Sequence, residues 1–510
     1  MQDSITVSKK DKIDLKYKIL DNVHGFIWYT EAEREIIDSL LFRRLQSIKQ
    51  LSLVDWIFPG SEHTRFIHSI GVMYIADKMA LALKLDVPTR KLVRLAALLH
   101  DIGHYPLSHL CESAYQEELI SSDTRCLRIE VNKRIKDEID GWNDIPKTDF
   151  AKTKNEAHHE SVSTTIIRTD SFIKEIIEKE CSDFQDPVEI VCDMIIGNYE
   201  RFGTDPVLVQ ILHSEIDADG IDYLLRDAVF SGTSFGSFEV DMLIRNMYIA
   251  ESRGRRIICI KEQGIPAADQ YLINKFFSYS QVIFNKHTAI LEWMAGRIVS
   301  WLRQESVYFP ELDTLTQDWI KGHPEQPCDD FLCFDDAFFW KALLDSADNS
   351  HRGKKHKEII YLSRCLLKRK ELDYVDGSEV RMIIKGMGNA KDSMQNTIQY
   401  KELECDSDSV ALLLTKPITS HVPIKLFREA IDSGGGHKKQ EDHDIDTNVK
   451  KEEEIDIDKA ELHRLYNGAA VVNADGEIEL LCENHQSLMQ HLYEVKLVIF
   501  RQYHFQADVF

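Results

Sequence analysis

Residues 98–110 read LLHDIGHYPLSHL, and this stretch decides how the rest of the chain is read. An aliphatic helix ends in His100 and Asp101, adjacent in the chain, so both side chains can lean on one cation. His104 lies one helical turn beyond His100, and His109 follows the break at Pro106. Histidines buried beside an acid need a partner, and a metal ion supplies one. A lone His-Asp pair arises by chance in most long chains; the whole pattern HDxGHxPxSH is specific.

Upstream, the run RFIHS sets Arg65 and His68 three apart, on one face of a starting helix. His68 offers a further imidazole, and Arg65 a rigid fork of donors for a phosphate oxygen. The ordinary alternative for Arg65 is an ion pair with an acid such as Glu62. Downstream, IDADGIDYLLRD places Asp219, Tyr223 and Asp227 at i, i+4 and i+8. One acid of this run completes a set of two imidazoles and two carboxylates. Asp217, Asp222 and Asp227 also read as helix-surface or capping residues, and Asp222 is assigned to that role. His24, His158, His213 and His287 read as ordinary surface or core histidines. Nitrogen and oxygen ligands suit Mn, Fe, Ni, Zn or Mg alike, so one divalent metal is expected without a chosen identity.

The surrounding pattern is helical. Apolar residues recur near a 3.6 period over 31–51, 68–85 and 87–101, and again over 160–167, 188–196, 207–212, 217–230 and 267–300. The expectation is a mainly α fold. An N-terminal segment (1–19) leads into an all-helical core (20–300), followed by an α+β C-terminal region (301–510). Small hairpins are expected around RIICIK at 256–261 and over 469–481. Residues 480–510 read as a helix, 121–155 as a polar insertion, and 434–459 as a mobile charged loop.

At 510 residues the chain exceeds what one core usually organises. Its 43% hydrophobic and 29% charged content is that of a soluble globular protein. No apolar run approaches the ~18 residues of a membrane span, and the N-terminus lacks a signal-like apolar segment, so no membrane association and a cytoplasmic location are expected. None of the ten cysteines forms a CxxC pair, which argues against a zinc ribbon or redox dithiol and for reduced thiols. A formal charge of −23 disfavours an extended nucleic-acid groove. It leaves room for a nucleotide held through a metal.

These motifs resemble those of the HD-domain phosphohydrolases, and among them the deoxynucleoside triphosphate triphosphohydrolases. That group includes bacterial dGTPase-like enzymes and the vertebrate SAM-and-HD-domain enzyme. The likeness covers roughly residues 20–295. It runs through VHGFI from Val23, RRLQSIKQL from Arg43, FPGSEHTRFIHSIGV from Phe58, HDIGHYPLSH, HHES from His158, and the IDADGIDYLLRD helix. No SAM domain is expected.

The resemblance implies His68, His100, Asp101 and Asp219 as metal ligands. It implies Arg65 and His104 at the scissile phosphate and His109 as proton donor to the leaving 5′ oxygen. His159 and Glu112 correspond to a supporting His–acid pair, in which the family's acid is usually Asp. Gln50 and Leu51 correspond to sugar-pocket residues, and Tyr223 and Asp227 to those that close it on the 3′ hydroxyl. Gly220 stands where the vertebrate enzyme has a phosphate-contacting Lys. Phe276 and Phe284 stand where an Arg and a Tyr hold the triphosphate. Lys275, Lys286, His287 and Arg226 are the cations nearby, with Arg226 and Lys286 the expected substitutes. The positions of the nucleotide-activator site keep Asp38 but carry Arg43 and Gln46. The implied reaction is hydrolysis of a dNTP to a deoxynucleoside and intact triphosphate, by water activated at the metal, in a homo-oligomer open to nucleotide activation. Two rivals stand beside it: an HD phosphohydrolase acting on nucleoside monophosphates, cyclic nucleotides or nucleic-acid ends, and a nucleotide sensor without turnover.

Overall fold

A computed structural model describes residues 13–116, 158–203, 205–252, 254–304, 329–347, 357–374, 380–385, 409–418, 464–472, 476–493 and 495–504. The insertion expected at 121–155 and the charged loop expected at 434–459 lie outside the described residues.

The chain enters through a two-stranded antiparallel hairpin, β1 (Tyr17–Asp21) and β2 (Gly25–Tyr29), with Asp21 opposite Gly25. Gly25, at φ +73°, closes the turn without a Cβ penalty. Helix α1 (Glu31–Asp38) starts at a reciprocal cap, Thr30 accepting from the Glu33 N–H and Glu33 from the Thr30 N–H. The single helix expected over 31–51 is broken. Ser39 is extended, ends α1, and caps the next turn (Leu40–Arg43) by accepting from the Phe42 N–H; a 3₁₀ turn, Arg44–Ser47, follows.

Helix α2 (Arg65–Ala82) is buried along most of its length and forms the centre of the core. It packs against α3 (Val87–Leu99), which begins at the Asp86 cap with Pro88 in its first turn. The layer continues through α4 (His109–Gln116), α5 (His159–Thr169), α6 (Ser171–Glu180), α7 (Pro187–Ile195) and α8 (Ala218–Ser231), the last lying against α2. The hairpin expected at 256–261 forms as β3 (Met247–Ser252) and β4 (Arg255–Ile260). The 267–300 stretch is not one helix. Helix α9 (Ile265–Ser278) passes through a π turn, Tyr279–Ile283, before α10 (Lys286–Gln304). Such single π turns tend to sit at functional sites.

After α11 (Asp336–Ala347) and α12 (Lys357–Leu367), strands β5 (Asp373–Tyr374), β6 (Val380–Lys385) and β7 (Ser409–Pro417) belong to a second sheet. The pair expected over 469–481 forms as β8 (Ala470–Val472) and β9 (Ile478–Leu480), and β8 adds in parallel to β4. The helix expected over 480–510 is replaced chiefly by a strand, β10 (Val495–His504), pairing with β5, β6 and β7. Leu497, Ile499, Arg501 and Tyr503 are buried. Phe331, Phe334, Leu480 and Tyr503 join the same apolar core as α2 and α3. Among the described residues no helix is long and apolar enough to cross a membrane.

Candidate metal centre

Three elements bring the four expected ligands together. His68 lies one turn into α2, His100 caps the C-terminus of α3 with Asp101 in the following turn, and Asp219 occupies the first turn of α8. His68 Nε2 is 2.9 Å from Asp219 Oδ1 and 3.8 Å from Asp101 Oδ2; His100 Nε2 is 3.4 Å from Asp101 Oδ1 and 3.9 Å from Asp219 Oδ1. Each imidazole spends its other nitrogen outward, His68 Nδ1 on Asp222 Oδ2 at 2.8 Å and His100 Nδ1 on the Ala97 carbonyl at 2.8 Å. Those contacts fix the tautomers, so both Nε2 atoms turn lone pairs toward the two carboxylates. Neither Nε2 has an aligned hydrogen-bond partner, although both are buried. Lone pairs facing carboxylate oxygens repel unless a positive charge lies between them. Burial opposes a charge on His68, yet Asp219 and Asp222 hold its pKa up to about 9. Two imidazole nitrogens and two carboxylates suit a divalent metal.

The layer behind these ligands overturns three readings. Asp222, expected on the helix surface, is fully buried and accepts from His68, from His24 Nε2 at 2.6 Å, and from Arg226 Nε and Nη2 at 2.8 and 2.9 Å. Arg226, expected at the substrate, is fully buried and also binds Asp21 Oδ2 at 2.7 Å. Its donors hold the hairpin to α8, so it is no phosphate ligand. His24, expected to be ordinary, orients the carboxylate that orients a ligand. Gly71 lets α2 approach this network, since a Cβ there would run into Asp222 Oδ1 and Arg226 Nη2. Gly71→Ala is therefore expected to push Asp222 off His68 and weaken metal binding by about 10- to 100-fold, read by metal titration; unchanged affinity would contradict the assignment.

A second cluster adjoins the first. Glu112 Oε1 accepts from His159 Nδ1 and from the His159 N–H, both at 2.9 Å, while its Oε2 takes His109 Nδ1 at 2.7 Å. His159 Nε2 lies 3.6 Å from Asp101 Oδ1, so the supporting pair touches the metal set directly. His104 stacks on His159 with ring centroids 4.4 Å apart. The Tyr105 N–H donates to His104 Nδ1 at 3.0 Å, which places the ring proton on Nε2. That Nε2 is buried without a partner, and burial, Arg65 and His159 hold His104 well below the usual histidine range. His104 is thus a neutral donor awaiting an acceptor. Arg65 Nη1 pairs with Asp101 Oδ2 at 2.7 Å and Nε with Ser108 Oγ at 3.0 Å, so its ion-pair partner is a site residue and not Glu62. Burial opposes the charge on Asp101, but Arg65, His100, His104 and His159 hold its carboxyl well below the usual range.

The loop carrying these histidines is tied at both ends. Arg44 donates to the Ile102, His104 and Phe334 carbonyls, and Asp336 accepts the Leu107 and Lys49 N–H groups at 2.7 and 3.0 Å. Leu107 and Ser108 both sit at positive φ, +51° and +54°, a conformation that costs non-glycine residues energy and that clusters at functional sites.

On the far side, Asp219, Tyr223 and Asp227 do share one face of α8. His63, which the sequence reading missed, donates from Nε2 to Asp227 Oδ1 at 2.8 Å and stacks on Phe230, while its carbonyl takes the Gln50 N–H at 2.9 Å. It thereby joins Gln50, whose Oε1 is buried without a partner, to Asp227; Leu51 is half-buried beside Gln50 in the chain. Phe276 and Phe284 pack with Leu497 and Ile499 of β10, which accounts for aromatic residues at those two positions. Lys286 is exposed at the start of α10, its carbonyl held by the Tyr503 hydroxyl at 2.7 Å. Arg43 pairs with Asp38 at 2.8 Å on the surface.

Residues 65–224, which span the four expected ligands, match the HD domain family model. A deoxynucleoside triphosphate triphosphohydrolase of Gallus gallus is 28% identical over 258 residues, 48% of this chain and 39% of that one. An uncharacterized protein of Methanocaldococcus jannaschii is 31% identical over 282 residues, 55% of this chain and 49% of that one. The chain spans about half the length of the curated relatives it matches. A solved phosphohydrolase from Bacteroides thetaiotaomicron superposes with TM-score 0.58 at 19% identity, over 96% of this chain and 100% of that one, a likeness of fold.

Proposed function

We propose that this protein hydrolyses deoxynucleoside triphosphates to a deoxynucleoside and intact inorganic triphosphate. The observation that carries the reading is the convergence of two unpartnered Nε2 atoms, His68 and His100, on Asp101 and Asp219, directly beside the His104–His159–Glu112–His109 cluster. The names of relatives from Gallus gallus and Dictyostelium discoideum, both deoxynucleoside triphosphate triphosphohydrolases, support the substrate class.

His68, His100, Asp101 and Asp219 would hold a divalent cation, whose chemistry is to polarise a phosphoryl oxygen and to lower the pKa of water. The remaining work falls to the chain. His104 offers its Nε2–H, and Arg65 its remaining N–H groups, to phosphoryl oxygens on which charge builds. Glu112 holds His109 by Nδ1, so the exposed ring can deliver a proton from Nε2 to the leaving 5′ oxygen. Gln50, Leu51, Tyr223 and Asp227 receive the sugar, with His63 fixing Asp227. Assembly into a homo-oligomer, activation by a nucleotide and residence in the cytoplasm belong to the same proposal.

The test is incubation with each dNTP, singly and in mixtures, with Mn or Mg, followed by separation of products. Deoxynucleoside plus triphosphate is expected; orthophosphate or a mononucleotide would move the protein to the rival phosphohydrolase reading. His109→Ala is expected to lower turnover by about 10²- to 10⁴-fold while metal stays bound, and full turnover would remove the proton-donor role.

A further inference from the structure

Helix α11 opens on two adjacent acids that divide their labour. Asp335 Oδ1 accepts the Ala337 and Phe338 N–H groups at 2.9 and 3.3 Å, which satisfies donors of the first helical turn. Asp336 directs its carboxylate elsewhere. It is buried, and its oxygens reach two separate segments of chain, Oδ1 the Leu107 N–H at 2.7 Å and Oδ2 the Lys49 N–H at 3.0 Å. Burial pushes its carboxyl up to about 6 while those two N–H groups pull it down, so at neutral pH it is ionised and both oxygens accept.

Those two segments serve different parts of the proposed reaction. Lys49 precedes Gln50, on the sugar side, and Leu107 lies between His104 and His109, on the phosphate side. Hydrogen bonds stitch the segments to one another. Ser108 Oγ donates to the Lys49 carbonyl at 2.6 Å and accepts from Arg65 Nε at 3.0 Å, and Ser52 Oγ donates to the Leu107 carbonyl at 2.6 Å. Leu107 and Ser108 hold positive φ, a conformation that persists only where the surroundings enforce it. Asp336 supplies part of that enforcement from outside residues 65–224. Its own place is fixed by aromatic contacts on either side, Trp340 stacking on Trp56 with centroids 5.7 Å apart and Phe334 meeting Tyr105 edge-on at 6.2 Å.

We infer that Asp336 is a positioning residue: its carboxylate sets the spacing between the loop that carries His104 and His109 and the segment that carries Gln50. It acts through Leu107 and Lys49 and not by contact with substrate. The part each segment plays rests on the triphosphohydrolase reading. The plain alternative is that Asp336 only fastens α11 to the core. Its loss would then lower the fraction of folded chain, and with it apparent kcat and metal bound per chain, while KM stayed at the wild-type value.

Asp336→Asn separates these cases, because an amide keeps the shape but offers one oxygen to two N–H groups and turns its own N–H toward the other. Hydrogen exchange of the full chain, resolved to single amides by mass spectrometry, follows the strap without turnover. In the wild type, which needs no variant, the Leu107 and Lys49 amides are expected to be protected. In Asp336→Asn at least one of them is expected to exchange about tenfold faster, the margin of one charge-assisted hydrogen bond. With a dNTP and Mn, kcat is expected to fall about 10²-fold and KM to rise severalfold, while Mn affinity stays within about threefold of wild type. Unprotected Leu107 and Lys49 amides in the wild type, unchanged protection in Asp336→Asn, or full turnover in that variant would each overturn the inference. So would a fall in kcat with KM unchanged and metal content reduced in step. A chain that hydrolyses no dNTP but shows this loss of protection defeats the activity reading and leaves the strap standing.

Discussion

Replacement of Asp101 by asparagine is expected to lower metal-dependent turnover by on the order of 10³-fold, about 4 kcal/mol of transition-state stabilisation. Asp101 is the residue at which the groups of the site meet. Its Oδ2 accepts from Arg65, and its Oδ1 faces both His100 Nε2 and His159 Nε2. An amide keeps the shape but removes the charge that holds the cation and directs Arg65. It also turns an N–H toward one of these groups. Arg65 would then be buried beside a neutral partner, so a moderate loss of stability should accompany the loss of rate. The checks are steady-state kinetics and metal content on the same preparation; near-wild-type kcat/KM with full metal content would show that Asp101 is no ligand.

The second large effect belongs to a residue that touches no substrate. Asp222→Ala leaves Arg226 buried without its bidentate acceptor and takes the acceptors of His24 and His68 away together. Removing one partner of a buried, hydrogen-bonded ion pair costs about 3–5 kcal/mol. A clear fall in melting temperature is expected. Asp222→Asn keeps the volume and part of the hydrogen bonding, and should lose about 10- to 100-fold in metal affinity with a smaller change in stability. Denaturation and metal titration of both variants separate the two contributions. An Asp222→Asn protein that binds metal like the wild type would show that His68 does not depend on this carboxylate.

The legible and illegible parts of the site divide by sequence distance. His100, Asp101, His104 and His109 announce themselves because ten consecutive residues carry an unusual density of imidazole around a helix end. Asp219, Tyr223 and Asp227 were readable because helical spacing puts i, i+4 and i+8 on one face. The supporting layer has no such signature. His24 meets Asp222 across 198 positions, His63 meets Asp227 across 164, and His68 meets Asp222 across 154. Nothing local marks His24, His63 or Asp222 for these roles. The same reasoning misled on Arg226: a cation near a phosphate motif in sequence is a candidate ligand, yet in the fold it clamps Asp222 and Asp21.

The fold shows a similar division. Helices α2, α3 and α8 follow from their apolar periods and caps, whereas residues 480–510 were apolar without a decisive period. Only the pairing of β10 with β6 and β7 shows that this stretch is a strand. Gly220 is instructive in another way. Against the lysine that the resemblance leads one to expect there it reads as a missing contact, but in the fold the space beside it is filled by Tyr271.

His68, His100, Asp101 and Asp219 are proposed to act as one metal centre. Titration of Mn into the metal-stripped chain, beside the His100→Ala variant, addresses it most directly. One high-affinity Mn per chain, lost in His100→Ala, is the predicted result. Absence of stoichiometric binding, or binding that survives His100→Ala unchanged, would contradict it.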